Sequence, residues 1–402
     1  THGKAAIRTP FYDGEDERLQ HIVAEMKSLA NVREAEHQED VYRILQELDI
    51  RPITEFAESN KHILTHVQEA DGKLFVYAYN MQYSETEAFS FTMKVRGVGK
   101  TYEIDCWNGT VREAGAYRQE AGCTVLDLTL APGAACMYVI DQKEAADLHV
   151  VSHTFAAIEK EGEHLQAAAL VSGTYEAVLS DGTKREISVE VPEDLELPSW
   201  TLEVEDWNEG EKKEIIEDRG LGIVTKEVYY ETAKRKISVG ETMLKPWKEI
   251  EAVGPEVSGI GQYRATFKLP EEWSERNGAV LKIGSVNKHT VRVWVNGKQA
   301  DVVDFDALTV DISDLLKDGE NEIRVEVTTS LNNRLLARGY YEKGKAFSMA
   351  LAANANNANA GMEENQAEAG ADPAALFNVH TTVVDYGMTG EVKLITYTRI
   401  EL

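Results

Sequence analysis

Short segments in which apolar and polar residues alternate recur between residues 63 and 328, with turn-forming dipeptides between several of them. Such alternation over four to eight residues is typical of strands that bury one face. Asp71-Gly72, Asn108-Gly109 and Asp181-Gly182 favour hairpins, because these residues accept the positive φ that two-residue turns need. The pattern predicts a mainly β fold of tandem antiparallel β-sandwiches. The expected strands span residues 63–66, 73–80, 88–95, 100–105, 124–130, 135–140, 173–179, 184–191, 262–269, 279–283, 290–295, 308–312 and 322–328.

Four regions follow from these patterns. Residues 1–58 carry a short apolar run at 4–8, which predicts a strand, and helical spacing at 16–29 and 41–48. They are expected to be the α/β tail of a larger domain, since they cannot enclose a core alone. Residues 59–145 are predicted to form a small antiparallel sandwich, and residues 146–199 a β-rich connecting domain. Residues 200–402 are predicted to form a jelly-roll sandwich with a low-complexity insertion near 347–376.

The charge balance argues against some partners. Sixty-nine acidic residues against 42 basic ones give a net charge of −27, which repels nucleic acid and anionic membranes. No apolar stretch is long enough to span a bilayer, and no signal segment opens the chain, so a soluble protein is expected. The sequence does not indicate whether it is cytoplasmic or secreted. Cys106, Cys123 and Cys136 have no zinc-site spacing and are expected to be buried.

The C-terminal region has the clearest strand signal. Val291, Val293 and Val295 alternate with Arg292 and Trp294, so the valines are expected to face the interior. Asn296-Gly297 is expected to link the central pair of strands.

The same region resembles a known family. Residues 258–267 (Ser-Gly-Ile-Gly-Gln-Tyr-Arg-Ala-Thr-Phe) are similar to the opening of a family 2-type sugar-binding, galactose-binding-like domain. Residues 293–298, 310–316 and 319–327 continue the resemblance in the family's order of strands and turns. The resemblance implies a jelly-roll module that handles sugars.

The segments outside that module resemble the C-terminal half of the α-L-rhamnosidases of glycoside hydrolase family 106. The resemblance is carried by residues 63–80, by residues 103–109 with Trp107, and by residues 386–392. The chain departs from the family at Val67, where an Arg is usual, and at Glu391, near which a Pro is usual. The resemblance implies that the N-terminal α/β region is the remnant of a catalytic barrel, and that the missing barrel is a partner.

The sequence does not point to a complete catalytic site. Most glycosidases need two carboxylates across the scissile bond, and barrel enzymes carry this pair on loops that follow barrel strands. No catalytic residue is therefore assigned, and Glu55 and Glu58 are expected to be solvated charges. No cofactor and no metal ligand is predicted, and calcium binding is left open.

Sugar binding needs aromatic faces and polar groups for hydroxyls. Asn332, Asn333 and Arg334 form a polar cluster at a strand exit. Trp294, in the same domain, is an aromatic candidate whose alternative role is packing. These four are the predicted carbohydrate-binding residues. This hypothesis predicts that Arg334→Ala weakens sugar affinity without unfolding the sandwich.

Three functions fit the sequence. The chain is expected to be the non-catalytic C-terminal portion of a glycoside hydrolase, with glycan or oligosaccharide as its partner. A free-standing carbohydrate-binding module and a purely structural β-sandwich assembly are the alternatives. In-frame upstream sequence that encodes a barrel would favour the first, and glycan binding by this chain alone would favour the second.

Overall fold

The computed structural model describes residues 13–220, 224–341 and 382–402, and side chains from residue 17 onward. The strand predicted at 4–8 and the insertion predicted near 347–376 lie outside the described residues. The described chain is mainly β, with several antiparallel sheets, so the predicted fold class is confirmed.

The described helices are few and short. They are α1 (Asp13–Ser28), α2 (Asp40–Glu47) and α3 (Asn332–Ala337). The apolar positions of α1 follow helical spacing, as the sequence predicts, but they remain exposed: Leu19 by 59%, Ile22 by 43%, Val23 by 40% and Met26 by 51%. No residue of α2 is buried. The two N-terminal helices therefore present apolar surface that the described chain does not cover.

Nine strands form the first sandwich. They are β1 (Thr54–Phe56), β2 (Ile63–Ala70), β3 (Lys73–Asn80), β4 (Phe89–Arg96), β5 (Lys100–Asp105), β6 (Thr110–Ala114), β7 (Arg118–Glu120), β8 (Cys123–Leu130) and β9 (Ala135–Asp141). One sheet has the order β1-β4-β8-β7, and the other has the order β2-β3-β9-β5-β6. Alternate residues such as Val76, Val95 and Ile140 are fully buried between them. Since β1 pairs with β4, this sandwich begins at residue 54.

The turns agree with the sequence only in part. Asp71 and Gly72 have φ of 54° and 74° and join β2 to β3 as a two-residue turn. The loop at Asn108-Gly109 is longer than predicted, because Asp105 pairs with Thr110 and only Gly109 has positive φ. The Asp105 carboxylate fixes this loop by accepting hydrogen bonds from the backbone of Trp107 and from Asn108. Likewise, only Gly182 has positive φ in the Asp181-Gly182 turn.

Six strands lie in the middle region. They are β10 (Val150–His153), β11 (Ala157–Glu161), β12 (His164–Ala169), β13 (Gly173–Leu179), β14 (Lys184–Val189) and β15 (Leu195–Glu196). β10, β13 and β14 form a small sheet of their own. β11 pairs with β6, so the middle region extends a sheet of the first sandwich. Val150, Leu165 and Leu179 are buried in a separate cluster here.

The last region contains nine described strands. They are β16 (Trp200–Asp218), β17 (Val224–Thr242), β18 (Gly259–Lys268), β19 (Asn277–Lys282), β20 (Thr290–Val295), β21 (Lys298–Gln299), β22 (Thr309–Asp311), β23 (Glu320–Thr328) and β24 (Lys393–Glu401). One sheet has the order β17-β16-β18-β23-β20-β21. It packs on β19, β22 and β24 around a core that includes Trp200, Trp247 and Tyr263, each about 1% exposed.

The alternation in β20 is confirmed, because Val293 and Val295 are buried and Arg292 is exposed. The Asn296-Gly297 turn, however, leads into the short β21, and the central neighbour of β20 is β23. β24 lies between β12 and β19 and joins the middle and last regions in one continuous sheet.

β16 and β17 form the longest described hairpin. Only Thr201–Asp206 of β16 pairs with β18, so residues 207–218 and 224–234 continue past the sandwich as a two-stranded ribbon. Ile216, Val224 and Tyr230 on this ribbon are 50% exposed or more.

The cysteine prediction was wrong for Cys106, which is exposed in the β5–β6 loop, while Cys123 and Cys136 are half-buried and all three are free. Burial raises the pKa of the Cys136 thiol to about 12.

Candidate functional site

The four predicted binding residues do not form one site. Asn332, Asn333 and Arg334 lie in the first turn of α3, directly after the loop that leaves β23. Trp294 lies on β20 and pairs across the sheet with Arg324, whose guanidinium lies 3.8 Å from the centre of the indole ring. One face of Trp294 is therefore occupied by an arginine of the same sheet.

The side chains of Asn332 and Asn333 are hydrogen-bonded to the backbone of the segment 382–384. The Asn333 side chain donates to the carbonyl of Val384 and accepts from its N–H, both at 2.8 Å, and the residue is only 3% exposed. Asn332 donates to the carbonyl of Thr382 at 3.3 Å and accepts from the Tyr341 hydroxyl at 2.9 Å. These bonds anchor α3 to the segment before β24 and use most of the polar capacity of both amides.

Arg334 has a different environment, because it pairs with a buried carboxylate. Its Nη2 donates to Asp206 Oδ1 at 2.6 Å, and the Asp206 side chain is 0% exposed. Asp206 Oδ2 accepts from Arg235 Nη2 at 3.0 Å and from Asn208 Nδ2 at 2.7 Å. A buried carboxylate is tolerated only when it is paired and hydrogen-bonded, and here three donors surround it.

The strand periodicity explains this position. Leu202 and Val204 of β16 point into the core and are no more than 2% exposed. Asp206 is the next inward residue, at the edge of the sandwich, and Asn208 follows it on the ribbon. Arg235 faces Asp206 across the hairpin. The inward face therefore changes from apolar to charged where the core ends.

The opposite face of the hairpin carries a second ionic pair. Glu205 accepts from Trp207 Nε1 at 2.7 Å and lies 2.9 Å from Lys234 Nζ, which also lies 5.3 Å from the centre of the Trp207 ring. The hydrogen bond from Trp207, followed by that from Lys234, holds the pKa of Glu205 below its ordinary value. Glu205 is therefore ionised at neutral pH and steadies Lys234.

A cleft opens beside these residues. It has a volume of about 430 Å³ and is lined by Asn208, Ala233, Lys234, Arg235 and Arg334, and we call it the rim cleft. A smaller cavity of about 150 Å³ shares Lys234 and Arg235 with it and is also lined by Glu203, Glu205, Lys236 and Gln262. Small-molecule pockets typically enclose about 300–1,000 Å³, so the rim cleft is large enough for a saccharide residue.

Sequence reasoning found Arg334 but missed Asp206, Asn208, Lys234 and Arg235. The sequence signal for them is Glu205, Asp206 and Asn208 on one strand, opposite the basic triplet at 234–236 on the next. Recognising it requires the hairpin register, and the contact between Asp206 and Arg334 joins residues 128 positions apart.

Among the described residues, no group of three His, Cys, Asp or Glu side chains is arranged to hold a metal ion. Glu55 and Glu58 are both exposed. No helix in the described ranges combines the length and apolar character needed to cross a membrane.

The comparisons with known proteins bear on the fold of this chain. No family model and no curated protein matches the sequence. Among solved structures, the chain is similar to a rhamnosidase from Novosphingobium sp. PP1Y, with a TM-score of 0.55 and 17% identity over 98% of this chain. The fold is rhamnosidase-like. The chain spans only 30% of the length of that rhamnosidase.

Two further solved structures match at TM-scores below 0.2. An α-L-rhamnosidase from Aspergillus terreus has a TM-score of 0.17 and 12% identity over 68% of this chain and 24% of its own. A Paenibacillus xanthan lyase has a TM-score of 0.15 and 8% identity over 72% of this chain and 40% of its own.

Proposed function

We propose that this chain is the non-catalytic C-terminal portion of an α-L-rhamnosidase-like glycoside hydrolase that acts in carbohydrate degradation. The observation that carries the proposal is the similarity to the Novosphingobium rhamnosidase, which extends over 98% of this chain but only 30% of that enzyme. In this proposal a catalytic barrel outside the chain supplies the acid and the base. The sandwiches support that barrel, and the last one, a galactose-binding-like jelly roll, contacts glycan.

The exposed face of α1 supports the first half of this proposal. Leu19, Ile22, Val23 and Met26 form a stripe at helical spacing, and each is at least 40% exposed. A helix of a globular protein buries such a stripe against another element, because packing of the apolar face supplies most of its stability. We assign the covering element to the catalytic domain.

The rim cleft supports the second half. It combines polar donors with a volume suited to a saccharide residue, and it lies in the region that resembles sugar-binding domains.

The proposal is tested by comparing this chain with a version extended by its native upstream sequence, using aryl α-L-rhamnosides as substrates. We expect turnover by the extended protein and none by the 402-residue chain. Turnover by the 402-residue chain without the upstream sequence would overturn the proposal.

The covering of α1 has its own control. In the extended protein, the double substitution Ile22→Ser with Met26→Ser should lower the thermal midpoint by several degrees, because it removes buried apolar area. In the 402-residue chain the same double substitution should change the thermal midpoint by less than about 1 °C, because both side chains are already exposed. Equal effects in both proteins would contradict the assignment.

A further inference from the structure

The rim cleft is lined by donors of hydrogen bonds. Of its five lining residues, Lys234, Arg235 and Arg334 are cations, Asn208 is an amide and Ala233 is apolar. No carboxylate lines it in the described part of the chain, although acidic residues outnumber basic ones by 69 to 42 overall. Lys and Arg side chains donate hydrogen bonds and never accept them, so the cleft suits a ligand that is rich in acceptors.

The Asp206 carboxylate, which pairs with both arginines of the cleft, has no oxygen free for a ligand. Both oxygens of Asp206 already accept hydrogen bonds, one from Arg334 and the other from Arg235 and Asn208. Its single negative charge is shared by two guanidinium groups, which leaves an excess of one positive charge at this wall of the cleft. In the adjoining cavity, Glu205 balances Lys234 and Glu203 balances Lys236, so these two carboxylates are each paired with a lysine.

The two arginines differ in exposure. Arg334 is 13% exposed and is held by Asp206, and its backbone N–H donates to Ser258 Oγ at 3.2 Å. Its Nε has no hydrogen-bond partner among the described residues. Arg235 is 67% exposed. Arg334 therefore forms the buried wall of the cleft, and Arg235 presents the rest of its guanidinium to a ligand from solvent.

On this basis we infer that the rim cleft binds a saccharide through a carboxylate group, that is, a uronic acid residue of a glycan. The inference rests on the proposed function and adds the class of sugar. A planar guanidinium donates two parallel hydrogen bonds to the two oxygens of one carboxylate, and this charge-assisted contact is stronger than any that a neutral sugar hydroxyl provides. Asn208 Oδ1 remains an acceptor for a neighbouring hydroxyl, because only Nδ2 of that amide is bonded to Asp206.

The test is calorimetric titration of the 402-residue chain with a trimer of galacturonate, an uncharged trimer of galactose, and acetate. We expect binding of the acidic trimer alone, with affinity falling as salt rises, because the contacts are charged and partly exposed. Arg235→Ala should weaken this binding at least tenfold, and Arg235→Lys should weaken it less. The Arg235 variants should fold, because Arg334 and Asn208 still donate hydrogen bonds to Asp206. Their thermal midpoints verify this.

Arg264→Ala is the matched control, because Arg264 lies on the neighbouring β18 and pairs with Glu322 outside the cleft. The affinity of the Arg264→Ala variant for the acidic trimer should equal that of the original chain. Acidic-trimer binding that survives Arg235→Ala would show that the cleft is not the site. Equal binding of acetate and the acidic trimer would show that the rim cleft binds anions without specificity for sugars, which would overturn the inference.

The two proposals fail differently. Arg235-dependent binding of the galactose trimer would overturn the uronic acid assignment and leave the carbohydrate role intact. Absence of binding by every saccharide would overturn the inference, whereas the accessory role is decided separately by the turnover of the extended protein.

Discussion

Replacing Arg334 by Ala is expected to destabilise the last sandwich, because the arginine neutralises a carboxylate that has no access to solvent. Removing one partner of a buried ion pair costs about 3–5 kcal/mol, since the other charge stays buried without compensation. Asp206 would keep its hydrogen bonds from Arg235 and Asn208. We therefore expect a loss of about 2–4 kcal/mol in the free energy of unfolding.

The assay is urea unfolding followed by tryptophan fluorescence, with Arg264→Ala as the reference. Arg264 and its partner Glu322 are 48% and 52% exposed, and such pairs contribute about 0.2–1 kcal/mol. A midpoint for Arg334→Ala no lower than that for Arg264→Ala would refute the reasoning. The structure thus revises the expectation that this substitution affects only sugar affinity, and it makes Arg235 the better residue for testing binding.

Two further predictions concern the junction of the first sandwich and the middle region. Glu113→Ala should cost about 2 kcal/mol, because Lys160 is 4% exposed and would keep only Asp147, at 3.7 Å, after losing Glu113 at 2.8 Å. Glu103→Ala, at an exposed pair, should cost less than about 1 kcal/mol. Burial lowers the pKa of His149 below its ordinary 6.5, so below about pH 6.5 the unfolded chain binds more protons than the folded one. The urea midpoint should therefore fall between pH 7 and pH 5, and less steeply in His149→Gln; parallel pH profiles for both proteins would contradict this.

The sequence predicted those strands well that bury one face. The strands expected at 73–80 and 290–295 were found with the same bounds, since alternate residues such as Val76 and Val293 pack in a core. β16 and β17 were missed, because both faces of the ribbon are solvated and carry charges as well as apolar residues. β12 was missed because alanines fill it, and alanine has low strand propensity.

The candidate site was harder to predict. Polar character at a strand exit marked Asn332, Asn333 and Arg334, but it could not separate the buried amide of Asn333 from the guanidinium that lines a cleft. That distinction depends on Asp206, which is distant from Arg334 in the sequence. The pairing of β16 with β18 brings the two residues together. Local patterns therefore marked one residue that lines the rim cleft, Arg334, but not its counter-charge, Asp206.

The position of β24 has a consequence for how the chain is assembled during synthesis. Residues 393–401 leave the ribosome after β12 and β19, yet they supply the hydrogen-bonding neighbour of both strands. Until then each strand has an open edge, which is a template for pairing with another chain. Nascent chains that stall before residue 393 should therefore associate through these edges, and a chaperone that shields them would protect the growing polypeptide more than the finished protein.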